Sequence, residues 1–207
     1  MNYSIDGLEY YEELGEWGGY ITVKCSQSLF NKDEISLGVY MKGTERLTEA
    51  EYNAINHIKI NFPVIYEKIL KGLYEWYKRE YIPSEIFDED TSDFIPVKFN
   101  CYEDIHRYIG TPNIEILHEY TKEDNAYFSI YFYDNCLLSI EHGLTALFHK
   151  NNMIDIDAAD TEAVVNFLEY YEEDCTLWEK DFWLIKWELG KDESFDDVDL
   201  IREKWLK

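Results

Sequence analysis

Basic residues are scarce in this chain of 207 residues: 19 Lys and Arg stand against 43 Asp and Glu, for a formal net charge of −24. The deficit runs through the first 150 residues and the remainder alike. A field of that sign repels nucleic acid and anionic membrane surfaces, so neither is an expected partner. It attracts a basic protein and raises its encounter rate at low salt, and it also serves solubility with no partner at all. Cysteine is equally sparse. Cys25, Cys101, Cys136 and Cys175 lie far apart and form no C-x-x-C pair, which argues against a zinc site. No apolar run reaches transmembrane length. The acidic opening "MNYSIDGLEYYEELGEWGG" lacks the basic and apolar regions of a signal peptide. The expectation is a cytoplasmic protein with free thiols. A G-x-S-x-G elbow and a phosphate-binding glycine loop are missing too. The acids of "DEDTSD" (88–93) and "DIDAAD" (155–160) lack the glycine and terminal glutamate of an EF-hand loop. No cofactor and no metal ion are expected.

Apolar and aromatic residues are plentiful. Hydrophobic residues make up 46% of the chain, enough for a real core rather than disorder. "GGYITVKCS" (18–26) and "ISLGVYM" (35–41) alternate in the period of a strand and are joined by the polar "NKDE", which predicts an antiparallel hairpin. "TEAE" (48–51) is a capping box with Thr48 as N-cap. The apolar set Ile55, Ile58, Phe62, Ile65, Ile69, Leu73 and Trp76 then steps by three and four along one helix face. Pro63 lies inside that pattern and predicts a kink or break near Asn61. "SEIFDEDTSDF" (84–94) reads as an exposed acidic loop, and "CYEDIHRYIG" (101–110) as a short helix stopped by Gly110, with His106 a surface or capping residue. Three more strands follow in "NIEILHEY" (113–120), "AYFSIYFYD" (126–134) and "HGLTALFHK" (142–150), linked closely enough for an antiparallel meander. Beyond them, "DTEAVVNFLEYYEE" (160–173) predicts a helix capped by Asp160, with Val164, Leu168 and Tyr171 on one side. "LWEKDFWLIKWEL" (177–189) fits a helix or a strand, the helix being preferred, and "ESFDDVDLIREKWLK" a short terminal helix.

"SIEHGLTALFHK" (139–150) holds the most reactive-looking residues, Glu141, His142 and His149. On a strand, neighbours point to opposite faces, and His142 and His149 have opposite parity. A dyad of Glu141 with His142, or a metal held by both histidines, is therefore disfavoured against a structural motif of Glu141, His142 and Gly143, in which the glycine allows a bulge or close backbone approach. The distinctive surface chemistry is acid interleaved with aromatic. Glu12, Glu13, Glu16 and Trp17 form one such stretch, Asp88, Glu89, Asp90 and Asp93 an acidic second, and Glu172, Glu173, Asp174 and Trp178 a third. Carboxylates pair with Lys and Arg, and aromatic faces accept cations, so these residues are candidates for a basic partner. The same pattern also describes the wet side of amphipathic helices whose aromatics are core.

The order of parts resembles a bacterial family of uncharacterised domains related to polymorphic-toxin immunity proteins. In that family a Trp-Gly hairpin precedes a long helix and a meander ending in a strand that begins Glu-His-Gly-Leu-Gly-Val. The matching pieces are "EWGGYITV" (16–23), the helix from Thr48 to Tyr81, "YFSIYFYD" (127–134) and "EHGLTALFH" (141–149), spanning about residues 8–165. Thr145 stands at the second motif glycine and Ala146 at the valine. The resemblance implies a non-enzymatic α+β protein that neutralises a toxin by binding it, with no catalytic residues to carry over. The expected architecture is α+β: an antiparallel sheet packed against a long helix in residues 1–170, and an acidic, Trp-rich C-terminal helical extension, residues 171–207, packed on that core. The expected function is a non-catalytic immunity protein that masks a basic toxin. The alternatives are a small cytoplasmic hydrolase using Glu141 and His142, and a scaffold or regulatory module.

Overall fold

A seven-stranded sheet and one long helix organise the computed structural model, which describes residues 5–23, 34–40, 43–78, 82, 84–88, 92–140 and 142–157. The elements run β1 (Leu8–Tyr11), β2 (Glu16–Thr22), β3 (Glu34–Val39), α1 (Glu49–Lys78), β4 (Glu85–Asp88), β5 (Asp93–Pro96), a 3₁₀ helix (Tyr102–Tyr108), β6 (Pro112–Lys122), β7 (Asn125–Phe132), β8 (Leu144–His149) and β9 (Asn152–Asp157). The sheet order is β1-β2-β3-β6-β7-β8-β9. The helices expected beyond residue 159, and the 171–207 extension, lie outside the described residues.

The sheet is mixed rather than antiparallel. β3 and β6 pair in parallel, with Ser36 opposite Asn113 and Gly38 opposite Glu115. Parallel neighbours need a long crossover, and α1 with the β4–β5 hairpin supplies it. α1 starts where Thr48 and Glu51 close the capping box: the Thr48 amide donates to Glu51 Oε2 at 2.6 Å and the Glu51 amide to Thr48 Oγ1 at 3.3 Å. Ile55, Ile58, Phe62, Ile65, Ile69 and Leu73 are buried along one face. The helix is not broken at Pro63. The ring removes the amide that would donate to the Lys59 carbonyl, on a flank that also carries the exposed Ile60 and Val64. Phe62 and Tyr66, stacked at 5.8 Å, hold the two sides of the proline in one core.

Two further expectations are corrected. The acidic stretch at 84–94 is a two-stranded hairpin in which Phe87 faces Phe94, ring centroids 5.4 Å apart. The short helix at 101–110 is 3₁₀, and its His106 is no idle surface residue: Nδ1 lies 2.8 Å from the hydroxyl of buried Tyr66. Gly110 follows at φ +72°, where an added Cβ would meet the Asp134 carbonyl oxygen at 2.0 Å. β6 and β7 join through a tight turn at Glu123 and Asp124, both at positive φ.

The helix-side core alternates along β2, β3, β6, β7 and β8. Ile21, Ile35, Leu37, Ile114, Ile116, Phe128, Ile130, Phe132, Ala146 and Phe148 are buried with the α1 stripe in one cluster. The intervening residues therefore form the second face of the sheet.

Candidate functional site

The ladder pairings align Glu9, Gly18, Gly38, Glu115, Ser129 and Leu147 in one row across the second face. A parallel row holds Tyr20, Ser36, Asn113, Tyr131 and Thr145. On the other side Tyr11 pairs with Glu16, and Tyr40 follows two residues after Gly38. Two adjacent strands thus contribute no side chain where Gly18 and Gly38 meet, leaving a shallow strip over β2 and β3. A Cβ on Gly38 would touch only the Trp17 carbonyl oxygen, at 3.4 Å, so the space above it is open; one on Gly18 would press the Tyr11 ring at 3.2 Å. Tyr11, Tyr20 and Tyr40 border the strip and are 45%, 63% and 57% exposed.

Glu16 and Glu115 interact on this face. Burial, and then the neighbouring Glu16 carboxylate, push Glu115 above the usual carboxylate range. Burial, then Glu115 and Asp134, push the Tyr131 phenol up as well. A cation seated on the strip relieves the repulsion between the carboxylates, while tyrosine faces accept its charge and the glycine floor accepts an alkyl stem. A raised carboxylate also suits proton transfer, but this strip is bordered by tyrosines about half exposed or more and does not shut out water.

The candidates read from the sequence separate on this frame. Glu12 and Glu13 lie exposed on the β1–β2 turn, beside the strip's end at Glu16. Trp17 alternates to the opposite face, packs against the helix-side core and sits 5.9 Å from Tyr10. Asp93 is exposed on the β4–β5 hairpin together with Phe87, Phe94 and Ile95. Glu89, Asp90, Glu172, Glu173, Asp174, Trp178 and Glu141, and the side chain of Asp88, lie outside the described residues.

β8 begins at Leu144, so His142 belongs to the preceding turn and the strand parity assigned to it does not apply. Its ring is exposed, at the opposite end of β8 from His149. Gly143, at φ +66°, brings the chain against β7: a Cβ there would meet the Phe132 carbonyl oxygen at 2.5 Å. His149 is buried; its Nε2 donates to the Lys122 carbonyl at 2.9 Å, and its ring lies 4.8 Å from that of Tyr127. Burial lowers its pKa below the ordinary histidine value. Among the described residues, no group of three or more His, Cys, Asp or Glu is placed to hold a metal ion. No described helix is long and apolar enough to cross a membrane.

Glu115, Tyr20, Tyr40 and Gly38 were not singled out by the sequence. The alternation in "NIEILHEY" and "ISLGVY" gives their faces, but only the parallel β3–β6 pairing brings Glu115 beside Gly38.

No curated protein and no solved structure matches the chain. One family model, described as a domain of unknown function (DUF6985), matches residues 5–164. That match extends from before β1 to beyond β9 and includes the whole strip, and the chain belongs to the DUF6985 family.

Proposed function

We propose that this protein is a non-catalytic binding protein of the cytoplasm that captures a basic protein through the tyrosine-bordered strip. The observation that carries the reading is the presence of Glu16 and the half-buried, pKa-raised Glu115 on one glycine-floored face with three exposed tyrosines. The net charge of −24 steers a basic partner toward the molecule, and the strip gives its Lys or Arg side chains a place to seat. The exposed Phe87, Phe94 and Ile95 of the β4–β5 hairpin add an apolar anchor beside Asp93. The resemblance of the Trp-Gly hairpin and the Glu-His-Gly-Leu segment to immunity-related domains extends the proposal: the partner is a toxin, masked by contact rather than chemically altered.

The test is a pull-down from the source strain at low and high salt, with the parent protein, a Glu16→Gln/Tyr20→Ala variant, and Glu75→Gln on α1 as control. A stoichiometric basic protein held by parent and control but lost by the strip variant supports the reading. Capture that ignores the strip variant, or no basic protein at either salt while the toxin candidate is expressed, refutes it.

A further inference from the structure

Glu115 stands half-buried in the middle of the sheet and forms no hydrogen bond or ion pair among the described residues. Burying a charge without a partner is costly. Its surroundings make the cost worse. On β3, Gly38 lies opposite and contributes no side chain. Beyond Gly38, on β2, is Glu16, the charge that acts on Glu115. On β7, Ser129 lies opposite and Tyr131 two residues along, its phenol pushed up by burial, then by Glu115 and Asp134. Asn113 and Leu117 flank Glu115 on its own strand and carry no charge. Glu9 closes the row on β1, and α1 packs on the other face of the sheet. Each of the titratable groups on this side is an acid.

The gap between the two carboxylates is open. β2 and β6 are separated by two strand spacings, about 10 Å, with β3 between them. A Cβ at Gly38 would find the Trp17 carbonyl oxygen at 3.4 Å and no other neighbour within 4 Å. A larger residue there would stand between Glu16 and Glu115; glycine leaves the place to a ligand.

We propose that capture through this strip is linked to a proton: a Lys or Arg side chain of the partner enters the gap over Gly38 and sends the proton held on Glu115 to solvent. The inference rests on the reading of the strip as the binding site and adds its regulation. The strip then holds its partner at neutral pH and releases it on acidification. Without the cation, burial and then Glu16 favour the protonated carboxyl. An opposite charge beside it favours the carboxylate and brings its pKa down. Between the lowered and the raised value binding releases a proton, so affinity rises with pH through that window and levels off above it. Below the window Glu115 is neutral, and the cation meets Glu16 without it.

The test is carbon-13 NMR of the full chain labelled at glutamate, titrated from about pH 4 to about pH 8 with and without saturating pentalysine, which stays fully charged over that range. Glu115→Gln assigns the Glu115 signal. Glu75 and Glu103, on α1 and the 3₁₀ helix, report any general effect of the peptide's charge. The expected result is that pentalysine lowers the Glu115 midpoint by at least about half a pH unit more than those of Glu75 and Glu103, with about threefold or more tighter binding above the window than below it, a difference that Glu115→Gln removes. If pentalysine binds the parent and is lost by Glu16→Gln/Tyr20→Ala while the Glu115 midpoint moves no more than the others, proton linkage is overturned and the binding strip stands. If the peptide leaves the Glu16 and Glu115 signals unmoved at every pH, both are overturned.

Discussion

Two glycines on adjacent strands, one residue of register apart, should respond to alanine in opposite ways. At Gly19, φ is +149° and an added Cβ would lie 2.0 Å from the Gly7 carbonyl oxygen. That oxygen already accepts the Tyr20 amide at 2.9 Å, so it cannot withdraw without loosening β1. Backbone strain of this kind costs about 1–3 kcal/mol. Detaching β1 instead exposes Leu8 and Ile5, each worth about 1.5–3 kcal/mol when fully buried, partly offset by the entropy of the freed residues. Gly19→Ala is therefore expected to cost about 2–4 kcal/mol. At Gly38 the added methyl finds the Trp17 carbonyl oxygen at 3.4 Å and no other neighbour within 4 Å. Glycine inside a strand costs about 0.5–1 kcal/mol relative to alanine, so Gly38→Ala should be neutral or stabilising by that amount. Its methyl nevertheless stands in the floor of the strip and should weaken the partner by about 1–3 kcal/mol, as overpacking does. Equilibrium urea unfolding followed by circular dichroism measures both variants at constant m value. If Gly19→Ala falls within about 1 kcal/mol of the parent, β1 is not held against β2 as described. If Gly38→Ala destabilises by more than about 1 kcal/mol, the strip is not open.

Other predictions follow from individual groups. Glu115, with its pKa raised in the fold by burial and Glu16, destabilises the folded state above that raised value; Glu115→Gln should raise Tm at pH 7, and the gain should vanish as pH falls below the ordinary carboxylate value, as pH-dependent calorimetry would show. His149, with its pKa lowered by burial, contributes stability that is present above the unfolded value near 6.5 and is lost as pH falls through the lowered one. Since acidification also relieves the net negative charge, His149→Gln should be compared with parent at each pH: its relative Tm should improve below pH about 6.5, and parallel curves would contradict the assignment. Thr48→Ala removes one half of the α1 capping box and should cost about 1 kcal/mol in urea unfolding; a change below about 0.3 kcal/mol would deny the box a role.

Local chemistry wrote part of this fold into the sequence. Thr48 and Glu51 need only three residues' separation to find each other, and the alternation of "GGYIT" and "ISLGV" marks β2 and β3 whatever lies beside them. β6, β7 and β8 are legible for the same reason. What failed was non-local or short. The parallel pairing of β3 with β6 joins residues on either side of α1, and neither strand signals its neighbour. β1 is only four residues long, and in β9, "NMIDID", the apolar residues Met153, Ile154 and Ile156 break strict alternation where the register shifts. The β4–β5 hairpin was hidden because each strand is only four residues long and acids stand among its apolar residues, which pair Phe87 with Phe94 and Ile86 with Ile95. The site followed the same division. Glu16 was legible as part of an acidic–aromatic stretch, but Trp17 was grouped with it although strand alternation turns the indole to the core. Glu115 acquires its meaning only when the crossover lays it beside Gly38. The link between His106 and Tyr66 spans 40 residues and has no counterpart in local sequence.

The central claim, that the tyrosine-bordered strip binds a basic protein, is tested most directly by titration calorimetry of the captured partner against parent and Glu16→Gln/Tyr20→Ala at two salt concentrations. The account predicts at least about a tenfold loss of affinity in the variant, with a shallower dependence on salt and an unchanged Tm. Equal affinity and equal salt dependence in the two proteins would contradict it.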